Sequence, residues 1–230
     1  QIDLIKLFHD GFSTGHGVLR EPNDIASYAS LACIAIQSNQ NDQHGGQSVP
    51  NFDYSMAEGI GKTFRKQYRA KLREALEDLL DTDDETVQAA IEAGKQATGD
   101  SDVRLETHAA TFDDAAAKAI AATGRLDAGK AAHLVAHARR RATAKTDRET
   151  YQAMEGFVHN LNTMHSRAGA QTPFSSINYG TDTSPEGRMA IRNILLAEDA
   201  GLGHGETPIF PIHIFKVKEG VNYNPGDPNY

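Results

Sequence analysis

Thr207-Pro208-Ile209-Phe210-Pro211-Ile212-His213-Ile214-Phe215-Lys216-Val217 is a nearly continuous apolar run, with six large hydrophobic side chains in eleven positions. Strands covered on both faces read this way, whereas a half-solvated strand alternates. The run therefore predicts a strand over residues 207–217 inside a sheet. Working backwards, Met189, Ile191, Ile194, Leu195 and Leu196 recur at helical spacings over residues 188–200, and Gly201 stands where that helix should stop. Upstream of this helix lies Ser166-Arg167-Ala168-Gly169-Ala170-Gln171-Thr172-Pro173-Phe174-Ser175-Ser176-Ile177-Asn178-Tyr179-Gly180-Thr181-Asp182, crowded with hydrogen-bonding groups and poor in long aliphatics.

That polar run has the chemistry of a binding site. A guanidinium such as Arg167 can fork onto a phosphate, Gln171 and Asn178 carry donors and acceptors, and Ser175 and Ser176 add compact hydroxyls. Gly169 and Gly180 allow backbone to approach a ligand. Composition alone is equally compatible with an ordinary surface loop. A second such block, His44-Gly45-Gly46-Gln47-Ser48, reads as a turn where backbone amides could face a nucleotide, or as a purely structural turn. It is not a phosphate loop of the Gly-Lys-Ser/Thr kind, because that triplet is missing.

Between and around these blocks the chain is mostly helix-patterned. Ile2, Leu4, Ile5, Leu7 and Phe8 form a short apolar segment. Pro22 is placed to open a helix with Asn23 and Asp24 in its first turn and Ile25, Tyr28, Ala29, Ala32, Cys33 and Ile36 along one face. A further helix spans roughly residues 55–80, with Phe64, Tyr68, Leu72, Leu76 and Leu79 apolar and Lys62, Arg65, Lys66, Arg69 and Arg73 on a basic side. That side fits either a triphosphate or a solvated helix face satisfied by Glu74, Glu77 and Asp78. Residues 81–146 are alanine-rich and charged; breaks are expected near Gly94, Gly99 and Gly124, and Asp81, Asp83, Asp84 and Glu85 suit a helix N-terminus. So few large apolar groups predict thin peripheral helices, an insertion within a domain spanning residues 1–230. Arg139-Arg140-Arg141 reads as exposed charge. A helix over about 147–164 buries Tyr151, Met154, Phe157, Val158 and Leu161 and leads into the polar run. Short apolar strands alternating with long helices predict an α/β architecture with parallel strands.

Three blocks, residues 41–53, 166–182 and Gly205-Glu206-Thr207-Pro208-Ile209-Phe210-Pro211, resemble the anaerobic, glycyl-radical ribonucleoside-triphosphate reductases, and the likeness runs through nearly the whole chain, weakest in the alanine-rich middle. The resemblance implies part of a ten-stranded α/β barrel surrounding a catalytic loop. It implies a parent oxidoreductase that makes deoxyribonucleotides for DNA replication: a glycyl radical, generated by an iron–sulfur, S-adenosylmethionine-dependent activating enzyme, passes to a loop cysteine whose thiyl takes a ribose hydrogen, often with formate as reductant. On that reading His44, Gly45, Gly46, Gln47, Ser48, Arg167, Gln171, Ser175, Ser176 and Asn178 surround the ribonucleoside triphosphate. Lys62, Arg65, Lys66 and Arg69 are the candidates for a deoxynucleotide or ATP effector beside a homodimer interface. The radical glycine, the loop cysteine and a zinc-binding region are expected outside this segment, which alone should be inactive. The competing reading is a non-catalytic nucleotide-sensing or assembly module related to the reductase.

Bulk properties narrow the field. A net charge of −8 argues against coating nucleic-acid backbones. No stretch approaches about 20 consecutive apolar residues, and the start lacks signal-peptide character, so a cytoplasmic protein that neither spans a membrane nor is exported is expected. The chain opens without Met and closes on Asp227-Pro228-Asn229-Tyr230, which reads as a piece of a longer protein. One cysteine excludes an internal disulfide and every multi-cysteine metal motif. Cys33, on a predicted apolar face, reads as a small buried hydrophobe. The ten histidines are scattered; only His133 and His137 share i, i+4 spacing, without the glutamate of a zinc-protease motif, so no metal site is expected here.

Overall fold

The computed structural model describes residues 1–13, 17–43, 45–80, 84–165 and 171–230. His44, Asp81, Asp83, Arg167 and Gly169, all singled out above, lie outside those residues, as does the Leu79 side chain. The chain divides into two compact units, Gln1–Ile60 with Arg148–Tyr230, and Gly61–Asp147.

The first unit is mixed α/β. Helix α1 (Leu4–Asp10) is capped by Asp3, whose carboxylate accepts from the Lys6 amide at 3.2 Å, and a pair of two-residue antiparallel strands, β1 (Phe12–Ser13) and β2 (Val18–Leu19), follows it. Helix α2 (Ile25–Asp42) begins three residues beyond Pro22: Asp24 is its N-cap and not part of its first turn, and accepts from the Ser27 amide and hydroxyl at 2.8 and 2.7 Å. The face expected to be apolar is buried from Ile25 to Ile36, and Tyr28 packs edge-on against Phe8 with ring centroids 4.8 Å apart. Strand β3 (Gln47–Val49) leads into helix α3 (Phe52–Leu80). After helix α6, described below, come β4 (Ser175–Tyr179), α7 (Pro185–Ala200, capped by Ser184) and β5 (Ile212–Phe215). Strands β3, β4 and β5 pair in that order, all parallel, with Gln47 beside Ser175 and Ser176 beside Ile212.

The strand expected over 207–217 is shorter and more open than its hydrophobicity implies. It covers four residues, and Ile212, Ile214 and Phe215 are 51%, 42% and 50% exposed. Pro208 and Pro211 have no amide to donate to a ladder. The backbone between them is already spent: Asn162 accepts from the amides of Ile209 and Phe210 at 2.8 and 3.1 Å and donates to the Phe210 carbonyl at 2.6 Å. Beyond β5 no further strand pairs among the described residues, so it is an edge.

The second unit is helical: the remainder of α3, α4 (Asp84–Thr98), α5 (Ala109–Ala121) and the first part of α6 (Ala128–Thr163). Asp84 and Glu85 occupy the first turn of α4. Gly94 does not break α4; it sits inside the helix because a β-carbon there would lie 2.6 Å from the Phe112 ring, so glycine lets α5 pack close. Gly99 and Gly124 do follow helix ends, at φ +72° each. Nor does a new helix start near residue 147: α6 runs unbroken for 36 residues, since alanines and long charged side chains favour helix throughout its N-terminal half. Its Ala131, Ala138 and Ala142 are fully buried, as are Phe64, Tyr68, Leu72 and Leu76 of α3 and Phe112 and Ile120 of α5. The alanine-rich composition therefore supplies close helix packing around a few large side chains. Arg139 is drawn into this core, contrary to its reading as exposed charge. It binds Asp113 through Nε and Nη2 at 2.5 and 2.8 Å, donates to the carbonyls of Arg104 and Leu105, and lies over the Phe64 and Tyr68 rings. Tyr68 donates to the same carboxylate at 2.9 Å, and burial, reinforced by Asp113, pushes its phenol far above the usual range. Arg140 and Arg141 stay exposed.

One contact ties the sheet to its helices. The fully buried Asp53, in the first turn of α3, accepts through Oδ2 from the amides of Gly180, Thr181 and Asp182 at 2.9, 3.1 and 3.0 Å. Asp53→Ala strands three amides and should cost about 3 kcal/mol or more of stability in urea unfolding, with Asp53→Asn costing roughly half as much. Equal midpoints for wild type and the alanine variant would show that the carboxylate is not what holds the loop.

Candidate functional site

The parallel sheet has one buried and one open face, and side chains alternate between them. On β4, Ser175, Ile177 and Tyr179 are buried while Ser176 and Asn178 are half-exposed; on β3, Gln47 and Val49 are buried and Ser48 is half-exposed. Ser48 stands beside Ser176 in the register, and its hydroxyl donates diagonally to the Asn178 side-chain carbonyl at 3.3 Å. The structure thus brings Ser48, Ser176 and Asn178 together on the open face, with Ile212 and Ile214 of β5 beside Ser176 and Asn178. Three polar groups next to two exposed isoleucines form a surface that can hydrogen-bond one part of a ligand and pack against another.

The other candidates are placed differently. Gln47 and Ser175, register partners, are on the buried face. The Gln47 side chain accepts from Asn39 of α2 and donates to the Gly45 carbonyl at 3.2 Å, and the Ser175 hydroxyl is buried with no partner among the described residues. Gly45 and Gly46 are exposed, with the Gly45 backbone at φ +105° and open space around it. Gln171 is exposed, and next to it Thr172 accepts from Gln40 at 3.4 Å. His44 and Arg167 lie outside the described residues.

At the C-terminal end of β4, the turn 180–182 is held from all sides. Its amides go to Asp53, and its carbonyls at Gly180 and Asp182 accept from Asn222 and Asn229 at 2.8 and 2.7 Å. Tyr54 donates to the Thr181 carbonyl at 2.9 Å, and Lys216 reaches Asn51 at 2.8 Å. Ligands of parallel α/β sheets gather beyond the carboxyl ends of strands, where such turns lie. These supporting residues escape a motif reading because each acts on backbone distant in sequence; for Asp53 the helix-start position beside the His-Gly-Gly block was the available signal.

On the buried side, Tyr179 donates to or accepts from His213 Nδ1 at 3.1 Å, and His213 Nε2 lies 3.4 Å from Glu198 of α7. Burial, with Glu198 adding, raises the Tyr179 phenol above its ordinary range.

Of the four cations nominated for an effector, Arg69 binds both oxygens of Asp102 at 2.9 Å and Arg65 lies 3.9 Å from the same carboxylate; Lys62 is half-buried and Lys66 exposed. Arg73 pairs with Asp84 at 2.6 Å. His9, missed by the sequence reading, groups with Glu21 and Glu58 so that their ligand atoms lie within 4.8 Å of one another at the surface. No helix among the described residues is long and apolar enough to cross a membrane.

A family profile described as anaerobic ribonucleoside-triphosphate reductase matches residues 1–230. The chain belongs to that family. Among curated anaerobic ribonucleoside-triphosphate reductases, that of Escherichia coli K12 is 39% identical over 90 residues, 39% of this chain and 12% of the relative. The enzyme of Enterobacteria phage T4 is 42% identical over 97 residues, 42% of this chain and 16% of the relative. That of Haemophilus influenzae is 39% identical over 90 residues, 39% of this chain and 13% of the relative. The chain thus matches a small part of each of these reductases.

Within this reductase segment Cys33 is 2% exposed; its thiol donates towards the Phe157 carbonyl at 3.8 Å, and burial pushes its pKa up to about 12. A thiol so held should resist iodoacetamide at about pH 8 while the protein is folded and react fully once denatured. Rapid labelling of the native chain would overturn its assignment as a packing residue.

Proposed function

We propose that this chain forms one wall of the substrate cavity in an anaerobic ribonucleoside-triphosphate reductase, an enzyme that converts ribonucleotides to deoxyribonucleotides in the cytoplasm. The observation carrying this reading is the open polar face of the parallel sheet: Ser48, Ser176 and Asn178 adjoin one another in a chain whose whole length matches the reductase family. On this reading the three side chains hold the ribose or phosphate oxygens, while Ile212 and Ile214 offer apolar surface. Gln47 and Ser175 support the wall from behind, and His44, Arg167 and Gln171 complete the polar set nominated from sequence. The rigid turn 180–182 fixes where the strand ends, which matters because a reacting bond must be held in one pose for hydrogen transfer to compete with side reactions.

The exposed edge of β5 fits a sheet that continues, as part of a ten-stranded barrel, and residues 81–146 fit a helical insertion within the domain. A glycyl radical installed by a radical-SAM activating enzyme, with formate as a possible reductant and zinc in another region, supplies the chemistry of the whole protein. This chain's own residues bind, orient and exclude water. Its effector role would fall to the α3 cations Lys62, Arg65, Lys66 and Arg69, of which Arg65 and Arg69 also lie against Asp102, beside a homodimer contact.

Asn178→Ala in the whole reductase should lower kcat/KM for ribonucleoside triphosphates by about tenfold or more while leaving the unfolding midpoint nearly unchanged, because a half-exposed side chain with one diagonal contact contributes little to stability. Unaltered kinetics would remove the open face from the substrate site. Replacing Lys62 and Lys66 with alanine together should blunt the control an effector nucleotide exerts over substrate choice, read as the ratio of products formed from competing substrates with and without effector. A fully retained response would exclude α3.

A further inference from the structure

The alanine-rich unit contains a groove of about 910 Å³ between the C-terminal turns of α3 and the N-terminal half of α6. Its wall carries Lys71, Arg125, Lys130 and Arg141 against Glu74, Asp78 and Asp127, a local excess of one positive charge in a chain whose net charge is −8. Counting charges understates the excess available to a ligand. Glu74 is held by Lys71 at 2.7 and 2.8 Å, and Asp127 is occupied at the start of α6, accepting from the Lys130 amide at 2.9 Å and pairing with its ammonium at 3.3 Å. Arg125 and Arg141 keep their guanidinium groups free of any carboxylate or carbonyl among the described residues.

His133 and His137 share the groove with Arg141, and the i, i+4, i+8 spacing places all three along one stripe of α6. The two imidazoles face Lys71, Glu74 and Asp78 from α3 and Arg125 and Asp127 from the preceding turn. Leu126, Leu134 and Ala75 provide apolar wall between the charged groups. Because Asp127 already caps α6, the helix N-terminus is not the attraction; the side chains are.

We propose that this groove binds a polyphosphate-bearing anion, with Arg125 and Arg141 forking onto its phosphates and His133 and His137 donating from the same stripe of α6. Two unpaired guanidiniums at the rim of a single cavity, flanked by imidazoles, are the donor set that phosphate oxygens require. The site is separate from the α3 cations Lys62 and Lys66 and does not rest on their role.

Calorimetric titration of the full chain with tripolyphosphate tests it. Binding should weaken by about tenfold or more in Arg125→Ala/Arg141→Ala, equivalent to the loss of a charged hydrogen bond. His133→Gln/His137→Gln should weaken binding by a smaller factor than the loss of the two arginines. All four side chains are at the surface apart from their groove contacts, and an unchanged circular dichroism melt confirms that the variants fold. Adenosine triphosphate binding more tightly than tripolyphosphate would assign Leu126 and Leu134 to a base, and equal affinity would assign the groove to the phosphate chain itself; either supports the proposal. Absence of binding, unchanged affinity in the double arginine variant, or binding lost only when Lys62 and Lys66 are replaced would overturn it.

Discussion

The buried Asp53 carboxylate is the constraint on which the first unit depends. Three consecutive amides converging on one oxygen form the kind of concavity that, in other folds, receives a phosphate. Here the chain supplies its own anion. The turn is thereby complete without a ligand: its amides meet Asp53, its carbonyls meet Asn222 and Asn229, and Asp182 passes the order on by accepting at 2.8 Å from the amide of Ser184, the residue that caps α7. One carboxylate thus fixes the start of α3, the end of β4 and, through Ser184, the start of α7. The consequence for function is negative as well as positive. A phosphate cannot use these amides while Asp53 holds them.

Helical faces were legible in the sequence because burial follows a period near 3.6, and Ile25 to Ile36 and Phe64 to Leu76 repeat it cleanly. The parallel sheet was legible in kind, since strands alternated with helices. Its third strand was misjudged because hydrophobicity was taken for burial: Ile212, Ile214 and Phe215 are apolar yet open, at an edge that nothing among the described residues covers. Continuous hydrophobicity reports the environment a strand is suited to, and that environment need not be supplied by the same segment of chain.

The polar run shows a finer limit. Composition treated Ser175 and Ser176 as equivalent, whereas adjacent strand residues point to opposite faces. The signal was present: Ile177 and Tyr179 share the parity of Ser175 and mark that side as the buried one, leaving Ser176 and Asn178 on the open face. Gln47 follows the same logic on β3, where Val49 shares its parity. Asn162 and Asn222 were beyond reach of motif reading, because each satisfies backbone more than forty residues away, and the accounting of unpaired backbone groups that reveals them requires coordinates.

Charge obeys a similar rule. A row of cations in sequence says how much positive charge a helix carries, while the structure decides how much remains for a ligand. Arg69 and Arg65 lie against Asp102, Arg73 against Asp84, and Arg139 against Asp113 over two aromatic rings, so these arginines are already engaged within the helical unit. A guanidinium that already meets a carboxylate must give up that partner before it can bind a phosphate, and the exchange gains little. On the proposed readings, an anion would meet the cations without carboxylates in the one unit and the neutral donors of the open sheet face in the other. Substrate and any second phosphate ligand would accordingly be read by different chemistry: hydroxyl and amide groups fixed on strands for the one, guanidinium and imidazole groups on helices for the other.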